Sequence, residues 1–481
     1  MSISYQVYEI MSIMRNPHIK YGFLKGSGGS GKTYSISEFI KHSKTKPYQY
    51  IFIGPTGKSV SVAEEKGLTG STIHRFFGIL NNNSKVEINK YIKSKYGSKS
   101  SYIKEMKHKL LEIKYIFIDE ISMVNDQLLE HIIMTVEKAA SKNIKLILAG
   151  DYHQIPPVIK TGEFLKSSLD TIVELISSRE MKMVEFNTRY RSNNEFYNEF
   201  LFDLRSGKYE DVKTVSNYLK HFFNVYKGKI NENIKYKVTY LEHKNDVVRS
   251  INEELLEALP SPLVISKRKI LVDEYKPEDI ELRNDIIRDF QMDEELSFKV
   301  GAKILFRVND MDGVFKNGDE GIIKKINTDS VIVEKFAFDG IIEILVKKHI
   351  YHTTELEHEQ GVMIEIEQYP FSLGSARTIH KSQGDGFDFL HLNFDFLDHG
   401  KMSNQAKWQM LYVCLSRVIN PNNVYIEESS LKLLESKWYL LKHKGTEVKN
   451  DKKFTYINID YKKLSLNFEC GMDEERYLRR I

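Results

Sequence analysis

Residues 21–42, YGFLKGSGGSGKTYSISEFIKH, decide the fold. They open on a short apolar run, 21–24, of the kind that forms a buried parallel strand. They close on Ile36, Phe39 and Ile40 at helical spacing. Between the two, GSGGSGKT at 26–33 matches GxxxxGK[ST] in the strand–loop–helix context that the pattern requires. The glycines let the backbone curl so that its N–H groups face phosphate oxygens, and the helix N-terminus adds positive potential. A flexible Gly/Ser turn is the bland reading. The sharper one is a nucleoside-triphosphate loop of Gly26, Ser27, Gly28, Gly29, Ser30, Gly31, Lys32 and Thr33. In it Lys32 neutralises β/γ-phosphate charge and the Thr33 hydroxyl ligates Mg²⁺.

Working outward, the runs at 50–53, 115–118 and 144–149 have the same buried-strand character, and each is followed at once by Gly or acid. Strand alternating with helix predicts an α/β fold with a doubly wound parallel sheet, whose ligands bind at the carboxyl ends of the strands. Those ends carry the chemistry. Asp119 and Glu120 follow YIFI: Asp119 fits a Mg²⁺-holding carboxylate, and Glu120 is placed to activate or orient attacking water. GDYHQIPP at 150–157 offers Gln154 as a γ-phosphate reporter, on a loop that its two prolines stiffen.

The rest of the chain reads as further modules. Its 481 residues suffice for about two to four domains. Between 79 and 114 the strand pattern lapses into a polar, Lys-rich insertion. Ser192 starts a helix with Phe196, Phe200 and Leu204 on one face, and Gly207 ends it. From 299 to 372 short strands with Asn317-Gly318 and Asp339-Gly340 turn signals suggest a small β-barrel inserted into a second α/β domain. That domain resumes after Gly374. No repeat at a period of about 20–50 residues is present.

Composition excludes several classes. At 41% hydrophobic and 28% charged the chain is globular, and no stretch approaches the ~20 apolar residues of a membrane span. The first residues lack a basic region followed by an apolar core, so no signal peptide is expected, and the expected location is cytoplasmic or at the nucleic acid. The two cysteines, Cys414 and Cys470, are far apart with no CxxC pair, which argues against a zinc site or a disulfide scaffold. A net charge of +4 identifies no partner.

Taken together, DEISM at 119–123, GDYHQIPPV at 150–158, TIHKSQG at 378–384 and YVCLSRV at 412–418 resemble the helicase motifs of superfamily 1, in the subgroup (B) holding RecD, the phage Dda helicase and the Pif-type helicases. GPTGKSV at 54–60, STIHRFFG at 71–78, and VGAKILFRVND with NGDEGII within 300–323 extend the resemblance, which runs in order from about residue 1 to 425. It implies two RecA-like domains with ATP clamped between them. By the same resemblance Gln6 reads adenine, and Gly384 contacts nucleotide. Arg191 (with Arg189 as a rival two residues away) and Arg417 reach the γ-phosphate from the far domain, where they would stabilise transition-state charge. Pro55, Thr56, Thr72 and His74 contact the strand from the first domain; Thr378, His380 and Lys381 contact it from the second. Hydroxyls and amides suit phosphates without reading sequence.

The expected division is a first motor domain at 1–186 with an insertion at about 80–112, and a second motor domain at 187–298 and 373–430. The barrel lies at 299–372, and an extension of unknown role at 431–481 docks on the second domain or contacts a partner. The insertion sits where related helicases carry a strand-separating wedge. Tyr91, Tyr96 and Tyr102 could stack there, although a solvated basic loop fits the Lys-rich sequence equally. The function implied is an ATP- and Mg²⁺-dependent DNA helicase moving 5′ to 3′ in replication, recombination or repair. Its expected partners are single-stranded DNA and tailed duplex DNA, with a single-strand-binding or replisome protein as a further candidate. The competing readings are an RNA helicase or RNA-dependent NTPase, a translocase that strips proteins from single-stranded DNA, and a non-motor nucleotide switch or kinase.

Overall fold

The N-terminal apolar runs become parallel strands because each of their faces has a core to enter. The computed structural model describes residues 5–78, 101–140, 143–154, 168–178, 180–209, 211–290, 292–310, 312–337, 340–353 and 362–450. Strands β1 (Tyr21–Gly26), β2 (Tyr50–Gly54), β3 (Gly70–Thr72), β4 (Tyr115–Ile118), β5 (Lys145–Gly150) and β6 (Met181–Phe186) form one sheet, ordered β3-β2-β4-β5-β1-β6. Every pairing in it is parallel. Alternate residues leave opposite faces of a strand. Ile51, Ile53, Ile116 and Ile118 therefore enter one core, with Leu129 and Ile132 of helix Asp126–Ala139. Tyr50, Phe52 and Phe117 enter the other, with Ile10 and Ile13 of helix Tyr5–Arg15 and Ile36 and Phe39 of helix Lys32–His42. Burying a side chain of this size contributes about 1.5–3 kcal/mol, so both faces must be covered for the sheet to stand.

The second sheet is assembled from distant pieces. The chain lays down β7 (Asn224–Tyr226) and β8 (Thr239–Glu242), then leaves for β9 (Val264–Lys267), β10 (Lys269–Glu274), β11 (Glu295–Phe298), β12 (Lys303–Phe306), β13 (Glu320–Ile326), β14 (Ser330–Ala337), β15 (Gly340–Lys347), β16 (His349–His352), β17 (Met363–Gln368) and β18 (Phe371–Leu373). It returns with β19 (Ala376–Thr378), β20 (Leu390–Leu392) and β21 (Val424–Glu427). The parallel order is β19-β8-β20-β21-β7. The inserted strands form antiparallel sheets ordered β15-β14-β13-β12-β18 and β10-β17-β16, with β9 paired to β11.

Several boundaries differ from expectation. Sheet formation in the insertion starts at Val264 rather than near 299, since β9 pairs β11 and β10 pairs β17. β10 is largely exposed, and its short run Ile270, Leu271 and Val272 enters no core that would mark it as a buried strand. The helix expected from Ser192 is Glu195–Arg205. Its cap is Asn194, whose side chain accepts from the Tyr197 N–H, while Ser192 supports Asn194 from outside the helix. Its buried face is Tyr197, Phe200, Leu201 and Leu204, and Phe196 is 76% exposed. Of the Asp339-Gly340 turn signal, Asp339 lies outside the described residues, and Gly340 pairs with Ala337. Asn317-Gly318 instead turns within the longer connection between β12 and β13, with Gly318 at φ 94.

Of the wedge residues, Tyr91 and Tyr96 lie outside the described residues. Tyr102 is 5% exposed and stacks on His131 inside the first core, so it cannot meet a base pair. The extension beyond 430 begins as helix Glu428–Asn450, whose Leu431, Leu434, Trp438 and Leu441 complete the second core. Among the described residues no helix is long and apolar enough to cross a membrane.

A candidate nucleotide cleft and strand-binding edge

The loop between β1 and helix Lys32–His42 is shaped by its glycines. Gly29 and Gly31 have φ of 80° and 89°, in the left-handed region. A Cβ on Gly29 would also collide with the Arg191 side chain, and the Tyr190 N–H donates to the Gly29 carbonyl at 2.8 Å. The second domain thus rests directly on the loop. Lys32 is buried, and its Nζ donates to the carbonyls of Gly26 (2.7 Å) and Ser27 (3.0 Å). Burial pulls its pKa down against the upward pull of Asp119 and Glu120. The Thr33 hydroxyl donates to Asp119 Oδ2 at 2.9 Å. Glu120 takes φ 48°, a left-handed conformation that strains a side-chain-bearing residue by about 1–2 kcal/mol, and its N–H donates to Asp119 Oδ1. Desolvation and then Asp119 push the Glu120 carboxyl up, while Lys32, Arg417 and Arg191 oppose them.

The far wall comes from the second domain. A Cβ built on Gly28 would stand 3.0 Å from Arg417 Nη2, 3.2 Å from Arg191 Nη1 and 3.3 Å from Gln154 Nε2. Arg417 is fully buried at the end of helix Asn404–Ser416 and donates to the carbonyls of Ser382 and Asp385. Arg191 donates to the Gly384 carbonyl at 2.9 Å and to that of Ser416. Burial lowers the pKa of both; Arg417 and Arg189 add to this for Arg191, Arg189 adds to it for Arg417, and Glu120 offsets part of it for each. The rival Arg189 shares the Ser416 carbonyl with Arg191 but is not among the residues lining the cleft. Cations gathered this closely, with desolvation against them, make a seat for a multiply charged anion.

Two more bonds cross between the domains, both to one carboxylate. Asp151, fully buried at the end of β5, accepts from Arg205 Nη2 at 3.1 Å and from the Tyr412 hydroxyl at 3.2 Å. Burial alone would raise its carboxyl, but Arg205, His153 and Lys32 hold it at about 2.

Three threonines of the expected strand-contact set play one local part. Thr56 caps helix Gly57–Glu64, Thr72 caps helix Ile73–Phe77, and the Thr378 hydroxyl accepts from the Lys381 N–H. Each ends a strand at the carboxyl edge of a sheet: Pro55 and Thr56 follow β2, Thr72 closes β3 and Thr378 closes β19. Thr378 itself is 6% exposed, so any contact there falls to the turn it caps, where Lys381 is exposed. His74 and His380 are half-buried, and burial lowers the pKa of each. The inserted domain approaches the same edge: Asn317 lies 3.7 Å from a Cβ built on Gly57, and Lys316 sits 3.9 Å from Glu64.

The cleft gathers Gly28 to Thr33, Asp119, Glu120, Arg191 and Gly384, together with Thr56. Gly26 and Ser27 instead serve Lys32 through their carbonyls. Gln6 is half-buried on helix Tyr5–Arg15 and is not among the lining residues. Tyr34, Lys66, Met123 and Gln383 also line the cleft and were not foreseen. Tyr190 is 68% exposed, with its ring 3.7 Å from a Cβ built on Gly31. Gln383 stands inside TIHKSQG and Met123 inside DEISM, both quoted among the motifs, and Tyr190 lies between Arg189 and Arg191; nothing marked Lys66. Of the oxygen donors, Thr33 and Asp119 suit a hard cation such as Mg²⁺.

A family model described as an AAA domain matches residues 12–160. The ATP-dependent DNA helicase Pif1 of Campylobacter jejuni is 29% identical over 91% of this chain and 96% of its own length. The crystal structure of Pif1 helicase from Candida albicans is similar at a TM-score of 0.66 and 21% identity, covering 92% of this chain and 100% of that one. Pif1 helicase from Bacteroides, solved in complex with ADP-AlF3 and single-stranded DNA, is similar at 0.58 and 21%, covering 89% and 93%.

Proposed function

We propose that the chain is a Pif1-type helicase of superfamily 1, which hydrolyses ATP in the cleft between its two parallel-sheet domains to move 5′ to 3′ on single-stranded DNA and unwind duplex. The observation that carries this is the convergence on Gly28 of Arg191 and Arg417 from the second domain and Gln154 from the first. A triphosphate held by the N–H groups of the loop and by Lys32 would give those cations the anion they lack. Thr33 and Asp119 would hold Mg²⁺, which supplies charge neutralisation at the phosphates when bound. Glu120 orients the attacking water, and the two arginines stabilise charge on the transferring phosphoryl group. The exposed ring of Tyr190 offers a face on which the base can stack. Once the γ-phosphate leaves, the arginines face each other and Lys32 without it, and the cleft opens. Alternating grip at the edges carrying Pro55, Thr56, Thr72 and His74, and His380 and Lys381, converts that cycle into steps. The related Bacteroides protein, whose complex holds a nucleotide mimic and single-stranded DNA together, supports the reading.

The test is the ATPase rate without nucleic acid, with single-stranded DNA and with single-stranded RNA, beside unwinding of duplexes carrying a 5′ or a 3′ tail. Stimulation by DNA with unwinding from the 5′ tail is expected. Stimulation without unwinding would replace the helicase by a protein-stripping translocase, and preference for RNA would reassign the substrate. Indifference to every strand would leave only a P-loop NTPase.

A further inference from the structure

The segment 377–385 carries two sets of groups at once. His380 and Lys381 belong to the candidate strand-binding edge, while the carbonyls of Ser382, Gly384 and Asp385 accept from Arg417 and Arg191 in the cleft. Its two ends are joined by one side chain: Arg377 Nη1 donates to Asp385 Oδ2 at 3.0 Å. The same guanidinium reaches Glu320 at the start of β13, in the inserted domain, and lies 5.3 Å over the Phe387 ring. Glu320 in turn pairs with Lys303 of β12 at 3.0 Å, and Lys303 donates to Thr239 at the start of β8. Side-chain exposures of 6% for Arg377, 9% for Asp385 and 7% for Lys303 put those three groups out of water, with Glu320 at 19% only partly reached by it. A buried ion pair contributes little net stability over an apolar isostere, but it holds geometry firmly, because a charge left alone inside is costly. It is therefore suited to making a segment move as one piece.

We propose that Arg377, anchored by Glu320 of the inserted domain, is a positioning residue that makes ATP hydrolysis answer to the bound strand. The clasp closes 377–385 into a rigid body, so a displacement imposed on the strand-facing turn arrives undiminished at the carbonyls that aim Arg191 and Arg417. Without the clasp the turn flexes locally, and the arginines do not follow it. The inserted domain, tied in through Glu320, sets the resting position of that body. The inference rests on reading the cleft as the ATPase of a strand-driven motor.

The experiment uses the full chain with Glu320→Gln and, separately, Arg377→Lys. The first is isosteric; the second keeps the charge but loses the fork that bridges two carboxylates. Three quantities are read: ATP turnover without nucleic acid, turnover at saturating oligo-dT, and oligo-dT affinity without nucleotide by fluorescence anisotropy. Unstimulated turnover and affinity should stay within about twofold of wild type while stimulation falls by about tenfold, inside the roughly 5–150-fold span of coupling between sites. Wild-type stimulation in both variants would overturn the proposal. So would a proportional fall of unstimulated and stimulated rates, which marks a fold defect. So would lost affinity with full stimulation regained at saturating strand, which marks a binding residue. A wild-type chain whose turnover ignored oligo-dT would instead sink the motor reading itself.

Discussion

Asp151→Asn should destabilise the second domain and its seat on the first by about 3 kcal/mol, and adding Arg205→Met should recover most of that loss. Asp151 is fully buried, with its two oxygens committed to Arg205 and Tyr412 across the domain boundary. Its carboxyl sits at about 2 against an ordinary 3.8, a displacement worth roughly 2–3 kcal/mol. That figure is net of the opposing burial. Removing one partner of a buried pair costs about 3–5 kcal/mol, because the other charge is stranded, so about 3 kcal/mol is the consistent expectation. The assay is urea unfolding of the nucleotide-free chain followed by tryptophan fluorescence. The two tryptophans, Trp408 and Trp438, lie 6.3 Å apart in the second core, so the signal reports that domain and not an average over all of them. Because the folded carboxyl is depressed, its contribution is whole above the unfolded value near 3.8 and is lost as pH falls toward 2. The gap between wild type and variant should close over that window. A gap under about 0.5 kcal/mol at neutral pH, or a double variant no more stable than the single one, would refute the reasoning.

Lys32→Ala should abolish hydrolysis while strand binding, read by anisotropy, is largely kept. Arg417→Lys should lower the strand-stimulated ATPase rate by about 10³-fold or more, the range of an arginine aimed at a transferring phosphoryl group, with nucleotide binding measured separately to show that the cleft persists. Trp438→Ala should cost about 3–5 kcal/mol in the same urea titration, since its side chain is 5% exposed inside the second core.

What the sequence made legible was local. GSGGSGKT carries its loop conformation in its own glycines, and 50–53 and 115–118 announce strands because both faces of each are buried. Asp119, Glu120 and Thr33 come together because strand ends of one parallel sheet must. What escaped notice depends on long-range partners. Nothing near Asp151 names Arg205, 54 residues on, or Tyr412, 261 residues on. Tyr102 reads as an available aromatic until His131 is seen to cover it. β10 has no apolar alternation because its pairing with β17, not its side chains, makes it a strand. Gln6 came from the resemblance alone, with no pattern of its own to place it at the cleft. Arg191 and Arg189 are alike in sequence, and both donate to the Ser416 carbonyl; only the Gly384 carbonyl and the approach to Gly28 separate them.

The broken second sheet has a consequence for the newborn chain. β6 ends at Phe186, so every strand of the first sheet has been made early in synthesis. The second sheet must wait for β19 to pair with β8 and β21 with β7, and its core for Leu434 and Trp438. At about 5–20 residues per second, roughly 10–50 s separate the two events. Through that interval Tyr197 and Phe200 have only the local cluster of Tyr209, Tyr218, Phe222 and Phe223 to pack on, so part of the second core stays open until the last strands arrive. The same delay keeps it quiet: the phosphate loop is finished while Arg417 has yet to be translated, so an incomplete motor can hold nucleotide without spending it.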